Sequence, residues 1–124
     1  MVKCTFLLPL HDNNGANFPQ SKLSCLRQRI AVEFGGYTSA GENFGRYTMA
    51  DGSEAVDWTE TIIVCIEDAH KGVGKLRDMV AEFGRILGQE SMYFEVSSAA
   101  VEFVSCQPKP IDWKLENWAD PVTP

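Results

Sequence analysis

The stretch FGRYTMADGSEAVDWTETIIVCIED, residues 44–68, decides the fold. Asp51-Gly52 is a turn dipeptide, because glycine accepts the positive φ that a tight hairpin demands. The residues before it alternate in character. Those after it run into Ile62–Ile66, an almost wholly apolar segment of the kind found in a central strand. The middle of the chain therefore reads as two antiparallel strands.

Working outward, each flank repeats one plan. Downstream, Val73, Leu76, Val80, Phe83 and Leu87 recur at 3-4-3-4 spacing, which predicts a helix over about 70–87, stopped by Gly88. Upstream, Leu23, Leu26, Ile30 and Phe34 form a similar stripe. That helix is expected to be capped by Ser21 and stopped by Gly35-Gly36. At the extremes, Cys4, Phe6, Leu8 and Leu10 alternate with Thr5, Leu7 and Pro9 in a strand over about 2–9. SMYFEVSSAAVEFV, residues 91–104, predicts a last strand broken near Ser97-Ser98.

The order is strand, helix, strand, strand, helix, strand. Two helices with one apolar face each belong on one side of a four-stranded antiparallel sheet, so the expected fold is α+β and ferredoxin-like, βαββαβ. Residues 1–106 form this single domain. Residues 107–124 form an irregular tail with four of the six prolines and two of the three tryptophans. Its Trp113, Leu115 and Trp118 are costly to leave in water, so the tail is expected to dock on its own domain or on a neighbouring subunit. The second face of the sheet lacks helices. Thr5, Leu7, Tyr47, Met49, Ile63 and Cys65 are candidates to point there, and a homodimer or higher homo-oligomer that covers them is expected, sheet to sheet or by strand edges.

Composition narrows the function classes. Eleven basic residues against seventeen acidic ones give a net charge of -6. This argues against a nucleic-acid polymer or an anionic membrane as partner and leaves room for one small anion in a local basic pocket. No apolar run is long enough to span a bilayer, and the N-terminal run ends at Pro9 without a small-residue cleavage site. Cys4, Cys25, Cys65 and Cys106 are too scattered for a metal or redox pair. Reduced thiols in a cytoplasmic protein are the expectation, with no cofactor and no metal. His11 and His70 are the two histidines, and no carboxylate stands at a ligand interval from either.

Two stretches concentrate polar groups. FGGYTSAGENFGRY, residues 34–47, offers Tyr37, Thr38 and Arg46 on a glycine-rich connection, where a guanidinium can hold an anion. The alternative is a tight link whose glycines satisfy positive φ. GQESMYFEV, residues 88–96, offers Gln89, Glu90 and Tyr93, with Glu95 on the strand face of Tyr93. These side chains either fix a ligand or sew a helix end to a strand, with Gln89 donating to a bare helix-end carbonyl. Glu60 stands where the third strand enters its apolar core. If buried it needs a partner, and Arg46 and Tyr93 are the candidates.

The segments PLHDNNG, FGGYT, GRYTMADGS and GQESMYFEV together resemble those of a group of short bacterial and phage proteins of unassigned function. The resemblance runs from residue 4 to about 104, with FGGYT and GQESxYxE its most specific motifs, and it implies the ferredoxin-like plan. The functional expectation is a small protein that binds a polar or anionic ligand, such as a nucleotide-type signal, without catalysis. The alternatives are a cofactor-independent dimeric enzyme of oxygenase or isomerase type and an interaction module.

Overall fold

The computed structural model describes residues 1–67, 69–98 and 100–106. Its elements run β1 (Val2–Pro9), α1 (Gln20–Phe34), β2 (Thr38–Thr48), β3 (Glu54–Ile66), α2 (Ala69–Ile86) and β4 (Phe94–Ser97). The sheet order is β2-β3-β1-β4 and every neighbouring pair is antiparallel. This is the ferredoxin-like arrangement expected from the sequence. The tail expected to dock, residues 107–124, lies outside the described residues.

Alternation in β1 and β3 builds the core. Cys4, Phe6 and Leu8 are buried, and β1 pairs them with Val64, Ile62 and Glu60 of β3. Leu23, Leu26 and Ile30 of α1 pack on this layer with Leu76, Val80 and Phe83 of α2 and Leu87 just beyond it, as the two stripes require. Phe6 and Phe83 meet edge to face with ring centres 6.3 Å apart. The intervening side chains Thr5, Leu7, Ile63 and Cys65 point to the other face, where the register sets Thr5 beside Ile63.

The helix ends follow from backbone chemistry. Gly35, at φ 82°, donates its N–H to the Ala31 carbonyl and closes α1. At the end of α2, Gly88 (φ 68°) donates to Arg85 and Gln89 donates to Gly84, a paired cap that satisfies two late carbonyls. Ser21 does not cap α1. Pro19 occupies that position, with no side-chain cap, and its carbonyl accepts from Lys22 and Leu23. A proline has no N–H to leave unsatisfied there, and its fixed φ starts the helix two residues early.

β2 also begins earlier than the turn-rich sequence suggested. Most of the glycine-rich connection is strand, with a register shift between Ser39 and Glu42 that holds Gly41 at φ 97°. Ser39 faces Ile62 and Glu42 faces Glu60, so β2 has one residue more than β3 across this step, a bulge. β4 is short and stops at Ser97.

One consequence of these lengths concerns the hairpin. β1 pairs with β3 only as far as Thr59, while β2 and β3 continue pairing to Thr48 and Glu54. Residues 44–58 therefore extend past β1 as a two-stranded arm. Phe44 and Trp58 stack edge to face on it at 5.1 Å. The Tyr47 ring lies over Gly45, so close that a Cβ there would meet its hydroxyl at 2.7 Å.

Candidate functional site

The lower end of α1, the start of β2 and the end of β3 converge around one cleft of about 530 Å³. That is ample for a small ligand. Glu33 and Phe34 enter from the last turn of α1, Gly35 and Gly36 turn the chain, Tyr37 precedes β2 and Thr38 opens it. Cys65 and Glu67 contribute from the β3 end, and Phe103 comes from the segment after β4. Gly36 at φ 153° is a backbone position that a side chain rarely adopts, and no neighbour crowds it. The glycines are thus explained by the reversal of the chain rather than by a need for space.

Two carboxylates reach the cleft. Glu33 forms an ion pair with Lys75 of α2, which anchors it from behind. Glu67 stands exposed at the rim. No basic side chain lines the cleft among the described residues. With Glu33 offset by Lys75, the Glu67 carboxylate beside a phenol, a hydroxyl and the Phe34 and Phe103 rings suits a ligand that is planar and neutral or positively charged.

The six residues singled out in the sequence do not meet within one chain. Tyr37 and Thr38 are together in the cleft. Thr38 lies in the same cross-sheet row as Ile63, Thr5 and Glu95, three strand spacings or about 14 Å from β4. Tyr93 is at that far edge and donates its hydroxyl to Glu95 at 2.7 Å. This bond to a carboxylate, reinforced by its charge, raises the Tyr93 phenol above the ordinary tyrosine range. Arg46 faces Val56 on the arm, roughly 23 Å along β3 from the row of Thr38, and its nearest carboxylate is Glu54 at 3.8 Å.

Gln89 belongs to the cap of α2: besides its backbone bond, its side-chain amide donates to the Leu87 carbonyl at 3.2 Å. Glu90 is exposed in the same turn. Asn13, from the loop after β1, donates to the Gly88 carbonyl at 3.4 Å and draws the two motif segments PLHDNNG and GQES together. His11 and His70 fall at opposite ends of the sheet, since β1 ends near the first and β3 near the second.

Glu60 is buried, and its partners are not Arg46 or Tyr93. Arg27 of α1 donates from Nε to Oε1 at 2.8 Å and approaches the same oxygen through Nη2 at 2.7 Å, while Ser39 of β2 donates to Oε2 at 2.6 Å. Arg46 is on the arm and Tyr93 at the opposite edge, so neither serves. The sequence carried a signal for Arg27: it lies one turn after Leu23 and three residues before Ile30, inside the apolar stripe.

The cysteines are all unpaired. Cys4 is buried, which raises its thiol pKa, Cys65 is half-buried, and Cys25 and Cys106 are exposed. No helix among the described residues is long and apolar enough to cross a membrane.

No family model matches this chain, and no curated protein matches it. Its fold does match solved structures. It is similar to a phage SAM lyase in complex with S-methyl-5'-thioadenosine, at 17% identity and a TM-score of 0.62, over 77% of this chain and 79% of that one. A phage SAM lyase in the apo state matches at 16% identity and a TM-score of 0.56, over 84% of this chain and 92% of that one. At such identities the likeness establishes the shared fold.

Proposed function

We propose that this chain binds a small adenosyl-type ligand in the Tyr37 cleft, with a sulfonium or a thioether next to the nucleoside. The observation that carries this reading is the cleft itself, about 530 Å³ with Glu33 and Glu67 on its wall and no described basic side chain. A sulfonium gains chiefly from Glu67, since Lys75 already offsets Glu33, and from the face of Tyr37, and a purine ring gains from Phe34 and Phe103. The ligand held by a similarly folded phage protein, S-methyl-5'-thioadenosine, is of this chemical class. A small polar ligand thus remains the reading, and the Glu67 carboxylate favours a cation over the anion expected from Arg46.

Tyr37 and Thr38 are assigned to the ligand. Gln89 is assigned to the helix cap, and Arg46, Glu90 and Tyr93 reach a bound ligand only from another copy of the chain. Self-association as a homodimer or higher homo-oligomer is part of this proposal.

A second reading, catalysis, is favoured by the name of the structural neighbours, which are lyases of SAM. It rests on likeness of fold, which hosts many chemistries. One experiment separates the two. Calorimetric titration with S-adenosylmethionine and with S-methyl-5'-thioadenosine measures binding, and mass spectrometry of the same mixtures detects cleavage. Binding that weakens about tenfold or more in Tyr37→Ala supports the cleft. Binding without turnover leaves a non-catalytic binder, and release of S-methyl-5'-thioadenosine from S-adenosylmethionine establishes the enzyme. No binding of either compound overturns the proposal.

A further inference from the structure

Two parts of the surface carry opposite charge, and the ligand cleft explains neither. On the arm, Asp51, Glu54 and Asp57 stand against the single Arg46. The two helices hold seven basic side chains against three acidic ones. Internal pairs reduce both sums without removing the contrast. Arg46 offsets Glu54, while Arg27, Arg29 and Lys75 are taken up by Glu60, Glu82 and Glu33. Lys22 and Arg85 still stand exposed on the helical layer, and Asp51 and Asp57 on the arm.

The arm is also the most apolar exposed region. Phe44, Tyr47, Met49, Val56 and Trp58 are between 39% and 54% exposed. Phe44, Val56 and Trp58 share the helix-side face of the arm, and Tyr47 and Met49 lie on the other; the first three leave on the order of 300 Å² of side chain in water, taking about 150–250 Å² for each large residue. A standard interface covers about 800 Å² per partner, of which a little over half is apolar, so this one face of the arm supplies roughly two-thirds of the apolar share of one such interface. The helical layer offers Val32, 73% exposed, and Ile86, 42% exposed, as apolar receiving positions.

We propose that the arm of one copy of this chain docks on the α1/α2 layer of the next copy. Two arms facing each other would oppose their own carboxylates, so a self-complementary arm-to-arm dimer is disfavoured. A contact between two different surfaces repeats from copy to copy, and closes into a ring when the rotation permits. This arrangement differs from the sheet-to-sheet dimer expected from the sequence, and it does not depend on the ligand.

Light scattering coupled to size exclusion tests it on the full chain. The wild type is expected to be a multimer whose mass falls when salt is raised from about 0.05 M to about 0.5 M. Reversing the arm (Asp51→Lys with Asp57→Lys) or the helices (Lys22→Glu with Arg85→Glu) weakens association at least about tenfold while circular dichroism stays unchanged. Mixing the two reversed proteins restores it, because each basic arm then finds acidic helices and each acidic arm basic ones. Phe44→Ser with Trp58→Ser gives monomers. A monomeric wild type, or a multimer that survives every one of these variants, as a sheet-to-sheet dimer would, overturns the proposal.

Discussion

Replacing Arg27 by methionine removes the cation that holds Glu60 and leaves the methylene stem packed against the core. In the wild type one Glu60 oxygen takes both Arg27 contacts, at 2.8 and 2.7 Å, and the other takes Ser39 at 2.6 Å. After the substitution Ser39 alone remains. A fully buried charge stripped of its partner costs about 3–5 kcal/mol. Here the side chains are 20% and 11% exposed, so water screens part of the loss and about 2–3 kcal/mol is expected. With an unfolding entropy of about 2.1 cal/mol/K per residue, a chain of this length loses roughly 8–12 °C in Tm. Urea denaturation gives the free energy and a thermal scan the shift. The double variant Arg27→Met with Glu60→Leu should recover most of the loss, since an apolar pair of similar volume replaces a desolvated ion pair. An Arg27→Met protein within about 0.5 kcal/mol of wild type, or a double variant no better than the single one, refutes the account of this pair as a paired buried charge.

Three further outcomes follow from described contacts. Phe83→Ala removes a fully buried ring and its edge contact with Phe6, and chemical denaturation should show a loss of about 3–5 kcal/mol. Gly45→Ala places a methyl against the Tyr47 ring, which must swing away. The cost, on the order of 1 kcal/mol, should vanish when Tyr47→Ala is made as well, as measured by a double-mutant cycle. The Glu82 carboxyl is held below the usual glutamate range, first by its hydrogen bond with Arg29. A lowered carboxylate stabilises above its unfolded pKa and loses that contribution as pH falls through the folded value. Stability measured from about pH 6 down to pH 2 should therefore fall less steeply in Glu82→Gln than in wild type.

Much of the fold was legible because its signals are periodic. The stripes of α1 and α2, the alternation of β1 and the run Ile62–Ile66 each repeat over several residues, and burial follows those repeats. What escaped depends on single residues or on distant partners. Pro19 took the helix start from Ser21, a choice between two neighbouring caps that periodicity does not register. The TSAGEN segment, residues 38–43, is polar and glycine-bearing, as a loop would be, yet β3 recruits it as an edge strand because its backbone can complete the ladder. At the site, glycine and tyrosine chemistry located the Tyr37 end of the cleft. Glu33, Glu67 and Phe103 were missed because each comes from a separate element. GQES was legible as a polar cluster, and its resolution into a helix cap came only from the bonds of Gly88 and Gln89.

The bulge at Gly41 sets a rule of parity for the arm. Before it, odd-numbered residues of β2 face the helices, as Ser39 does in reaching Glu60; after it, even-numbered ones do, as Phe44 does opposite Trp58. Deleting one residue between Ser39 and Glu42 would act on the strand as a frameshift acts on a gene. Phe44, Arg46 and Thr48 would exchange sides with Asn43, Gly45 and Tyr47, and the Phe44–Trp58 contact would be lost with no side chain mutated. Lineages of this fold that keep an arm of this kind are thus free to vary the letters of the segment, while its length can change only by two.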